Sequence, residues 1–506
     1  MQWEATSRRQ QCVVSHSAPY NVIALRLSGI GPLHQRVTMG TLPDDILLKI
    51  FKTSIDGIES YFKFRFSPSE EWHALVHVCR RWRNLVFTSP RHLNLVLLCW
   101  SPNRSAKEML DIWPELPISV HHFHPSRQAA DDVVAVLKLN HRVSGIRLAH
   151  PTNTAWETFA PLMQHSFPAL THLWVESYSP KQISRSFLGG SAPSLRDLVM
   201  IAVPFPALPE LLLSATNLVR LWLDQISPSG YISPQAMVTS LSTLTRLESL
   251  SVTFLVPRDR PESVPDRAVR IPPPHPRILL PSLTYLRLQG SSDYVEDFLA
   301  QIDTPLLESV QITLFSLDVL EVSELAKFVR RADKLLLAHQ AKVTFMSDSI
   351  SIRLSPKSAL RPLPPKTLEL DLICPQSTLR RSYLAQCCAS CLPTLSPFES
   401  LRIVVSVYDP RQDPIFNPDP QWLELLRLFD TVKKLYLSTY VAPRVAQILR
   451  RFSAEQVMEV LPTLENVFIS SDELLGPVKE VLSEFADARQ LAGHPLCIDG
   501  WEGAAY

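Results

Sequence analysis

The segment Leu218-Val219-Arg220-Leu221-Trp222-Leu223 contains the pattern from which the fold is predicted. An apolar residue is followed by apolar residues three and five positions later. These three positions share no single helical face, whereas the last two alternate correctly on a strand. The pattern therefore predicts a strand. It returns with first residues at positions 143, 170, 195, 247, 283, 307, 398, 432 and 464, and in weaker form around Ala341–Phe345 and Thr367–Leu372.

The spacing of these copies indicates a repeat protein. Twelve copies between residues 143 and 464 give a mean step of about 29 residues, the upper end of the range for leucine-rich repeats. Amphipathic segments such as 294–302 and 422–429 separate the strands and predict helices. Alternating strands and helices predict an α/β fold, an irregular leucine-rich-repeat solenoid with a parallel concave sheet. An all-helical array of the HEAT type is the alternative. Five copies have a proline two residues before the first apolar position, which favours extended entry: Pro168, Pro193, Pro281, Pro305 and Pro462.

The composition excludes several classes of function. The chain has 50 Lys and Arg against 49 Asp and Glu, and this balance argues against a general nucleic-acid binder. It has only 13 Gly among 506 residues and no glycine-rich phosphate motif, so we expect no nucleotide cofactor. No long uncharged apolar segment predicts a membrane span. Eight cysteines are too few for a disulfide framework and favour a cytoplasmic or nuclear protein.

Changes of pattern along the chain predict five regions. They are a disordered tail over 1–38, a helical module over 39–100, a connecting segment over 101–142, the repeat array over 143–484 with a Pro-rich insertion at 257–281 and a loop at 408–420, and a C-terminal cap over 485–506 with a last edge strand at 495–498.

The helical module has two amphipathic stripes. Leu42-Pro43-Asp44-Asp45 is typical of a helix start, with proline and acidic residues in the first turn. The residues that follow on one face of this first helix are Ile46, Leu47, Ile50 and Phe51. A second helix is predicted from Trp72, Leu75, Cys79, Trp82 and Val86, which are spaced alternately by three and four residues.

The segment 42–93 resembles an F-box, the module that docks onto Skp-family adaptors of cullin–RING ubiquitin ligases. The resemblance rests on Leu42-Pro43-x-x-Ile46-Leu47-x-x-Ile50-Phe51 and on Val78-Cys79-Arg80-Arg81-Trp82-Arg83-x-Leu85 followed by Ser89-Pro90. Two departures are a longer connection over 53–69 and His92-Leu93 in place of a final aromatic residue. The adaptor-binding residues that the resemblance implies are Leu42, Pro43, Ile46, Leu47, Ile50, Phe51, Val78, Cys79, Trp82 and Leu85.

The whole chain is similar to the large mushroom-type family of fungal F-box proteins. Segments 108–114, 303–307 and 488–495 resemble phrases of that family. The resemblance implies a non-catalytic substrate receptor of an SCF-type ligase, whose partners are a Skp-family adaptor, a cullin–RING ligase and a target protein. The alternatives are a protein-interaction scaffold without a ubiquitination role and a hydrolase hidden in the array.

The outward positions of the strand pattern predict where a target protein binds. Exposed aromatic residues beside arginine are typical anchors of protein recognition. The candidates on the predicted concave face are Trp174, Arg220, Trp222, Tyr285, Arg287 and Tyr436.

Two other clusters favour ordinary structural roles over metal binding. Cys387-Cys388-x-x-Cys391 has no second cysteine pair, and buried structural thiols are the favoured interpretation. His121-His122-Phe123-His124 follows a predicted strand and is interpreted as a polar loop. We therefore predict no metal site.

Overall fold

The computed structural model describes residues 42–61, 72–89, 92–93, 95–99, 106–112, 116–122, 127–177, 182–255, 277–315, 322–332, 339–346, 349–356, 367–373, 386, 388–390, 398–405, 420–450, 458–470 and 472–500. Its helices are α1 (Asp44–Tyr61), α2 (Trp72–Val78), α3 (Arg80–Thr88), α4 (Ala106–Ile112), α5 (Arg127–Leu137), α6 (Asn153–Leu162), α7 (Leu208–Leu212), α8 (Pro234–Leu241), α9 (Ser292–Ala300), α10 (Ser323–Arg331), α11 (Pro420–Arg427), α12 (Ala442–Leu449) and α13 (Asp472–Leu491).

The strands coincide with the predicted copies of the pattern, and the structure contains several further strands. They are β1 (Leu97–Cys99), β2 (Ile118–His122), β3 (Val143–Ala149), β4 (His172–Glu176), β5 (Asp197–Ile201), β6 (Arg220–Ile226), β7 (Ser249–Phe254), β8 (Ile278–Leu279), β9 (Tyr285–Ser291), β10 (Ile302–Asp303), β11 (Ser309–Phe315), β12 (Gln340–Phe345), β13 (Ser349–Ser355), β14 (Leu368–Ile373), β15 (Ser400–Val405), β16 (Lys434–Leu437), β17 (Asn466–Ile469) and β18 (Cys497–Gly500).

Helices α1 to α3 form the N-terminal module. Leu47 and Phe51 of α1 are 0% and 1% exposed, and the Phe51 ring lies 4.6 Å from the Trp82 ring of α3, centroid to centroid. The second predicted helix is in fact two helices, because Cys79 adopts an extended backbone between them. Its Sγ accepts a hydrogen bond from the amide of Trp82 at 3.5 Å and so caps α3.

A large α/β sheet, mostly parallel, dominates the rest of the fold. Within the described residues, sixteen strands form one sheet in the order β1-β2-β3-β4-β5-β6-β7-β9-β11-β14-β13-β12-β15-β16-β17-β18. The predicted apolar positions pair in register, as Leu198, Leu221 and Leu250 do on β5, β6 and β7. All three side chains are buried, because alternate strand residues face the helices. The opposite side of the sheet is called the open face below.

The sheet begins earlier than the sequence pattern predicts. Strands β1 and β2 pair in parallel with each other, and β2 pairs with β3, so the segment predicted as a connection over 101–142 contributes strand β2 to the sheet. The sequence predicts a strand at 118–120 but does not assign it to the array, because Glu115 stands where the pattern requires its first apolar residue. Likewise β1 shows that the module predicted over 39–100 ends before Leu97.

The sheet is also not parallel throughout. Strand β13 pairs antiparallel with both β12 and β14, so β14 is the parallel neighbour of β11. Only three residues separate β12 from β13, too few for the crossover that a parallel pair needs. The prediction of a parallel sheet therefore fails at this block of three strands, which we call the reversed block.

Other predicted boundaries shift or lie outside the described residues. The predicted cap boundary at 484/485 falls inside α13, and β18 then pairs with β17 at the edge of the sheet. At the end of the predicted Pro-rich insertion, β8 pairs with β10. The tail 1–38, residues 257–276 of the insertion, residues 408–419 of the second loop and residues 501–506 lie outside the described ranges.

Two buried charged side chains connect neighbouring repeats. Glu296 of α9 accepts hydrogen bonds from the amides of Glu324 and Leu325 at 2.7 and 2.9 Å, at the start of α10. Arg489 of α13 donates to the carbonyl groups of Leu461 and Leu464, in the turn that precedes β17, at 3.2 and 2.8 Å. Each side chain forms hydrogen bonds with backbone groups of the adjacent repeat, and so helps to satisfy the polar groups at a helix start or in a turn.

Candidate functional site

The N-terminal module leaves apolar side chains exposed around its core. Ile46 and Ile50, one turn apart on α1, are 37% and 38% exposed. Val78 at the end of α2 is 58% exposed and Phe87 on α3 is 38% exposed. Several large exposed apolar side chains on one small module are typical of a surface that a partner protein covers.

Three of the residues predicted to contact an adaptor lie inside the module. Leu47, Phe51 and Leu85 are buried, so they hold the helices together and present no surface to a partner. The apolar stripe of α1 contains residues of both kinds, because positions 46 and 50 lie beside positions 47 and 51 on the helix. The other predicted residues are exposed or half-buried: Leu42, Pro43, Ile46, Ile50, Val78, Cys79 and Trp82.

An arginine fixes the start of α1 against α3. Arg81 donates through Nη2 to Asp44 Oδ1 at 2.6 Å and to the carbonyl oxygen of Leu42 at 2.5 Å. The pair is exposed and contributes little to stability by itself. Its consequence is positional, since the Leu42-Pro43 segment and the first turn of α3 are held together.

A row of side chains crosses the open face from one end of the sheet to the other. Register places one residue of each strand from β2 to β18 in this row. In spatial order they are His121, Arg147, Trp174, Val199, Trp222, Ser251, Arg287, Gln311, Glu369, Arg353, Lys342, Arg402, Tyr436, Phe468 and Asp499. We call it the open-face row.

The structure places all six predicted target-binding residues on the open face. Four of them, Trp174, Trp222, Arg287 and Tyr436, belong to the open-face row, and Arg220 and Tyr285 lie two residues earlier on their strands. Every one of the six is half-buried.

In the first half of the row, two tryptophan side chains contact charged or polar side chains of neighbouring strands. The Arg147 guanidinium lies over the Trp174 ring, 4.4 Å from its centroid. The indole of Trp222 donates to Ser249 Oγ at 3.2 Å. These contacts fix the orientation of both tryptophans.

Asp197 on β5 binds two basic side chains at once. Its Oδ1 accepts from Arg220 Nε at 2.5 Å, and its Oδ2 lies 3.0 Å from His172 Nε2. Burial raises the pKa of the Asp197 carboxyl, but the hydrogen bond from His172 and the charge of Arg220 outweigh it, and the pKa lies below its usual value. The positive charge of Arg220 is therefore neutralised within the sheet.

In the middle of the row, hydrogen bonds connect polar side chains to a basic cluster that consists of Arg353, Lys342 and Arg402. Tyr285 donates through its hydroxyl to Gln311 Oε1 at 2.8 Å, and Gln311 Nε2 donates to Glu369 Oε2 at 3.1 Å. Glu369 also forms an ion pair with Arg353. Burial and the nearby charges of Arg353 and Arg402 lower the pKa of Lys342.

An aromatic pair follows the basic cluster. The rings of Tyr436 and Phe468 are stacked, with centroids 4.7 Å apart and planes 15° apart. The Arg402 guanidinium lies 5.6 Å from the centroid of the Tyr436 ring. Basic and aromatic side chains thus meet at the boundary of β15 and β16.

The basic cluster was not predicted from the sequence. Lys342 and Arg402 occupy the outward position of the copies of the pattern at 341–345 and 398–403, so the sequence pattern could have identified both residues. Arg353 lies on β13, which contains no copy of the pattern, and only the antiparallel pairing brings it beside Lys342.

The described residues contain no group of three or more His, Cys, Asp or Glu side chains able to hold a metal ion. Cys388 is buried, while Cys387 and Cys391 lie outside the described positions. His121 is buried rather than in a loop, and burial together with the charge of Arg147 lowers its pKa to about 4. The imidazole of His121 is therefore neutral at pH 7 and contacts Ser119 Oγ at 3.2 Å. His124 is outside the described ranges.

No protein-family model matches the sequence, and a search of curated proteins finds no significant match. Among the helices that the structure describes, none is both long and apolar enough to cross a membrane.

Proposed function

We propose that the protein is the substrate-recognition subunit of an SCF-type ubiquitin ligase. In this proposal α1 to α3 dock onto a Skp-family adaptor, and the open face of the sheet binds the target. The observation that carries the proposal is the set of exposed apolar side chains on a module whose own core is filled by Leu47, Phe51 and Trp72. The sequence of this module is also the part that resembles an F-box.

The exposed side chains of the module have the chemistry of a docking surface. Ile46, Ile50, Val78 and Phe87 supply apolar anchors, and the exposed ion pair between Asp44 and Arg81 supplies polar groups for a rim. An ordinary interface buries about 800 Å² on each partner, an area that two or three short helices can provide. A few well-buried apolar anchors usually carry most of the binding energy.

The sheet has the chemistry of a target-binding surface. Its open face presents aromatic and charged side chains along a single row, which is the composition of protein-recognition sites. The protein itself performs no chemistry in this proposal. It holds the target near the ligase, so its contribution to the transfer of ubiquitin is proximity. The cytoplasm or the nucleus is the proposed compartment, since cullin–RING ligases act there.

Changing two exposed apolar residues tests the adaptor interface. We expect the double substitution Ile50→Asp and Val78→Asp to lower the affinity for a Skp-family adaptor by about 100-fold or more, because two desolvated anchors become charged. Co-purification of the full chain with the adaptor, followed by titration calorimetry, measures the effect.

The controls separate docking from folding. Lys52→Asp changes a neighbouring half-buried position of α1 in the same way and should leave adaptor affinity nearly unchanged. Leu47→Asp should instead unfold the module, because it places a charge in the core. Failure of the intact, folded chain to bind any Skp-family adaptor would overturn the proposed function.

The scaffold alternative uses the same surfaces and differs in the fate of the bound protein. Depleting this protein in cells should raise the abundance of its targets if it is a ubiquitin-ligase receptor. Stable partners whose levels do not change would favour the scaffold.

A further inference from the structure

The part of the open-face row between β9 and β15 carries an excess of positive charge. Six strands contribute Arg287, Gln311, Glu369, Arg353, Lys342 and Arg402, in that order. Four of these side chains are basic and one is acidic. We call this part of the row the basic strip.

The basic strip places like charges directly opposite each other. Lys342 is paired in register with Arg353 on one side and with Arg402 on the other. Like charges opposite each other on neighbouring strands are destabilising. The lowered pKa of Lys342, which comes first from burial and then from these two arginines, is a sign of that repulsion. A ligand that brings negative charge to the strip would relieve it.

The first half of the open face has no comparable excess. There Asp197 neutralises Arg220 and also contacts His172. Glu176 lies 3.4 Å from His150 at the end of the neighbouring strand. The two halves of the open face thus differ in charge.

The size of the basic strip matches a short extended segment. Five inter-strand steps separate β9 from β15, which corresponds to about 24 Å. An extended peptide covers this distance with about seven residues, and its alternate side chains point to the same side. The next two strands add the stacked rings of Tyr436 and Phe468, an apolar platform for one large side chain.

We propose that the basic strip and the Tyr436–Phe468 pair bind an extended acidic segment of the target protein, with a bulky apolar residue next to the aromatic rings. The proposal rests on the proposed function, because it names the class of segment that the receptor recognises. Carboxylate side chains at alternate positions of the segment would reach Arg287, Lys342 and Arg402.

An acidic protein segment fits the strip better than a nucleic acid does. The strip itself contains the carboxylate of Glu369, and Asp371 lies two residues further along β14. Burial, partly offset by a hydrogen bond from Ser351, raises the pKa of Asp371. A continuous phosphate backbone would meet both acidic groups, whereas separate carboxylates can avoid them. The whole chain also has a formal net charge of only +1.

The test uses a fluorescein-labelled peptide with glutamate at alternate positions followed by phenylalanine. We expect the full chain to bind it at least about tenfold more tightly than the matched glutamine peptide, with the difference shrinking at high salt. Fluorescence anisotropy measures both affinities. Arg402→Glu and Lys342→Glu should each weaken binding of the glutamate peptide by about tenfold or more.

Matched variants keep the test specific. Lys138→Glu reverses an exposed charge just after α5, far along the sheet from the strip, and should leave the affinity unchanged. Lys342→Gln replaces Lys342→Glu if the reversal lowers the melting temperature. Arg402→Glu should also gain affinity for the matched lysine peptide.

Three results would overturn the proposal. They are equal affinities for the glutamate and glutamine peptides, a loss in Lys138→Glu as large as in Arg402→Glu, and tighter binding of a labelled oligouridine that depends on Lys342 and Arg402. The adaptor assay with variants of Ile50 and Val78 is independent. Peptide selectivity without adaptor binding would support the binding site for an acidic segment and contradict the ligase role. Adaptor binding without peptide selectivity would support the ligase role and contradict the binding site for an acidic segment.

Discussion

Replacing Arg489 with leucine is expected to lower the free energy of unfolding by about 3–5 kcal/mol. The side chain is fully buried, and its guanidinium donates to the carbonyl oxygens of Leu461, Pro462 and Leu464 at 3.2, 3.0 and 2.8 Å. Leucine would fill much of the volume but leave the carbonyl oxygens of Pro462 and Leu464 without this donor, and a buried acceptor without a donor costs about 1–3 kcal/mol, whereas the Leu461 oxygen keeps a hydrogen bond from the amide of Leu464 at 3.0 Å. Urea unfolding followed by circular dichroism measures the loss.

The geometry around Arg489 explains why the effect should be large. Leu461 has a positive φ of 50°, an uncommon conformation for a residue with a branched side chain. The bond from Arg489 to its carbonyl oxygen holds this turn at the entrance to β17. Burial lowers the pKa of the guanidinium, yet arginine keeps its proton in proteins, so the buried charge stays and depends on these carbonyl groups.

Two variants serve as controls for Arg489→Leu. Arg450→Leu removes an exposed ion pair with Glu484 and should cost less than about 1 kcal/mol. Arg489→Lys keeps the charge but not the planar arrangement of donors, so we expect an intermediate loss. Similar stabilities for Arg489→Leu and Arg450→Leu would contradict the role of the buried guanidinium.

Replacing Glu296 with alanine is expected to lower the free energy of unfolding by about 2–4 kcal/mol. The carboxylate accepts from two amides in the first turn of α10 and lies 3.3 Å from Ser323 Oγ. The Glu296 carboxylate therefore caps α10, a helix of the next repeat. The N-cap residue of α10, Val322, makes no side-chain hydrogen bond of its own. Thermal unfolding and hydrogen exchange of the α10 amides measure the effect.

The pKa of Glu296 predicts a smaller effect for glutamine. Burial raises this pKa, and the hydrogen bonds from the amides of Glu324 and Leu325 offset part of the shift. A raised pKa in the folded state means that the native protein holds the proton more tightly than the unfolded chain, so ionisation of Glu296 lowers stability as pH rises above its usual pKa. Glu296→Gln resembles the neutral acid, keeps an acceptor and should remove this pH dependence.

A matched control is available on α10 itself. Glu324→Ala removes the ion pair with Lys327 but keeps the backbone amide that donates to Glu296. It should cost less than about 1 kcal/mol. If Glu324→Ala and Glu296→Ala destabilise the protein equally, the capping interpretation is wrong.

The strands that alternate strictly could be predicted from the sequence. In β6, Leu221 and Leu223 are buried and Trp222 between them is half-buried. The positions that define the pattern are therefore the buried positions of the strand. Strand β2 alternates at residues 118–120 and is predicted as a strand, but Glu115 at the first position of the pattern keeps it out of the predicted array. Strand β13 does alternate, but its pairing partners are set by the short turn after Phe345 and not by the repeat.

The candidate surfaces could be predicted only in part. Helical periodicity identifies the apolar stripe of α1, but neighbouring residues such as Ile46 and Leu47 differ in exposure because α2 and α3 pack on one side of the stripe. The basic strip depends on strand order, which places Arg353 beside Glu369 and Lys342. Strand order is a long-range property, and a local pattern does not encode it.

The reversed block changes how this array folds and how it can be divided. Ordinary neighbouring strands pair residues close in the chain, as Asp197 and Arg220 do at a separation of 23, whereas Gln311 and Glu369 pair at a separation of 58. A regular solenoid grows by adding one repeat to the next, and it tolerates truncation between repeats. Here a cut after β12 removes both sheet neighbours of that strand, and a cut after β13 separates β12 and β13 from β11, because β14 lies between them. The segment must therefore assemble as a single cooperative unit, and its high contact order makes it the slowest part of the array to form.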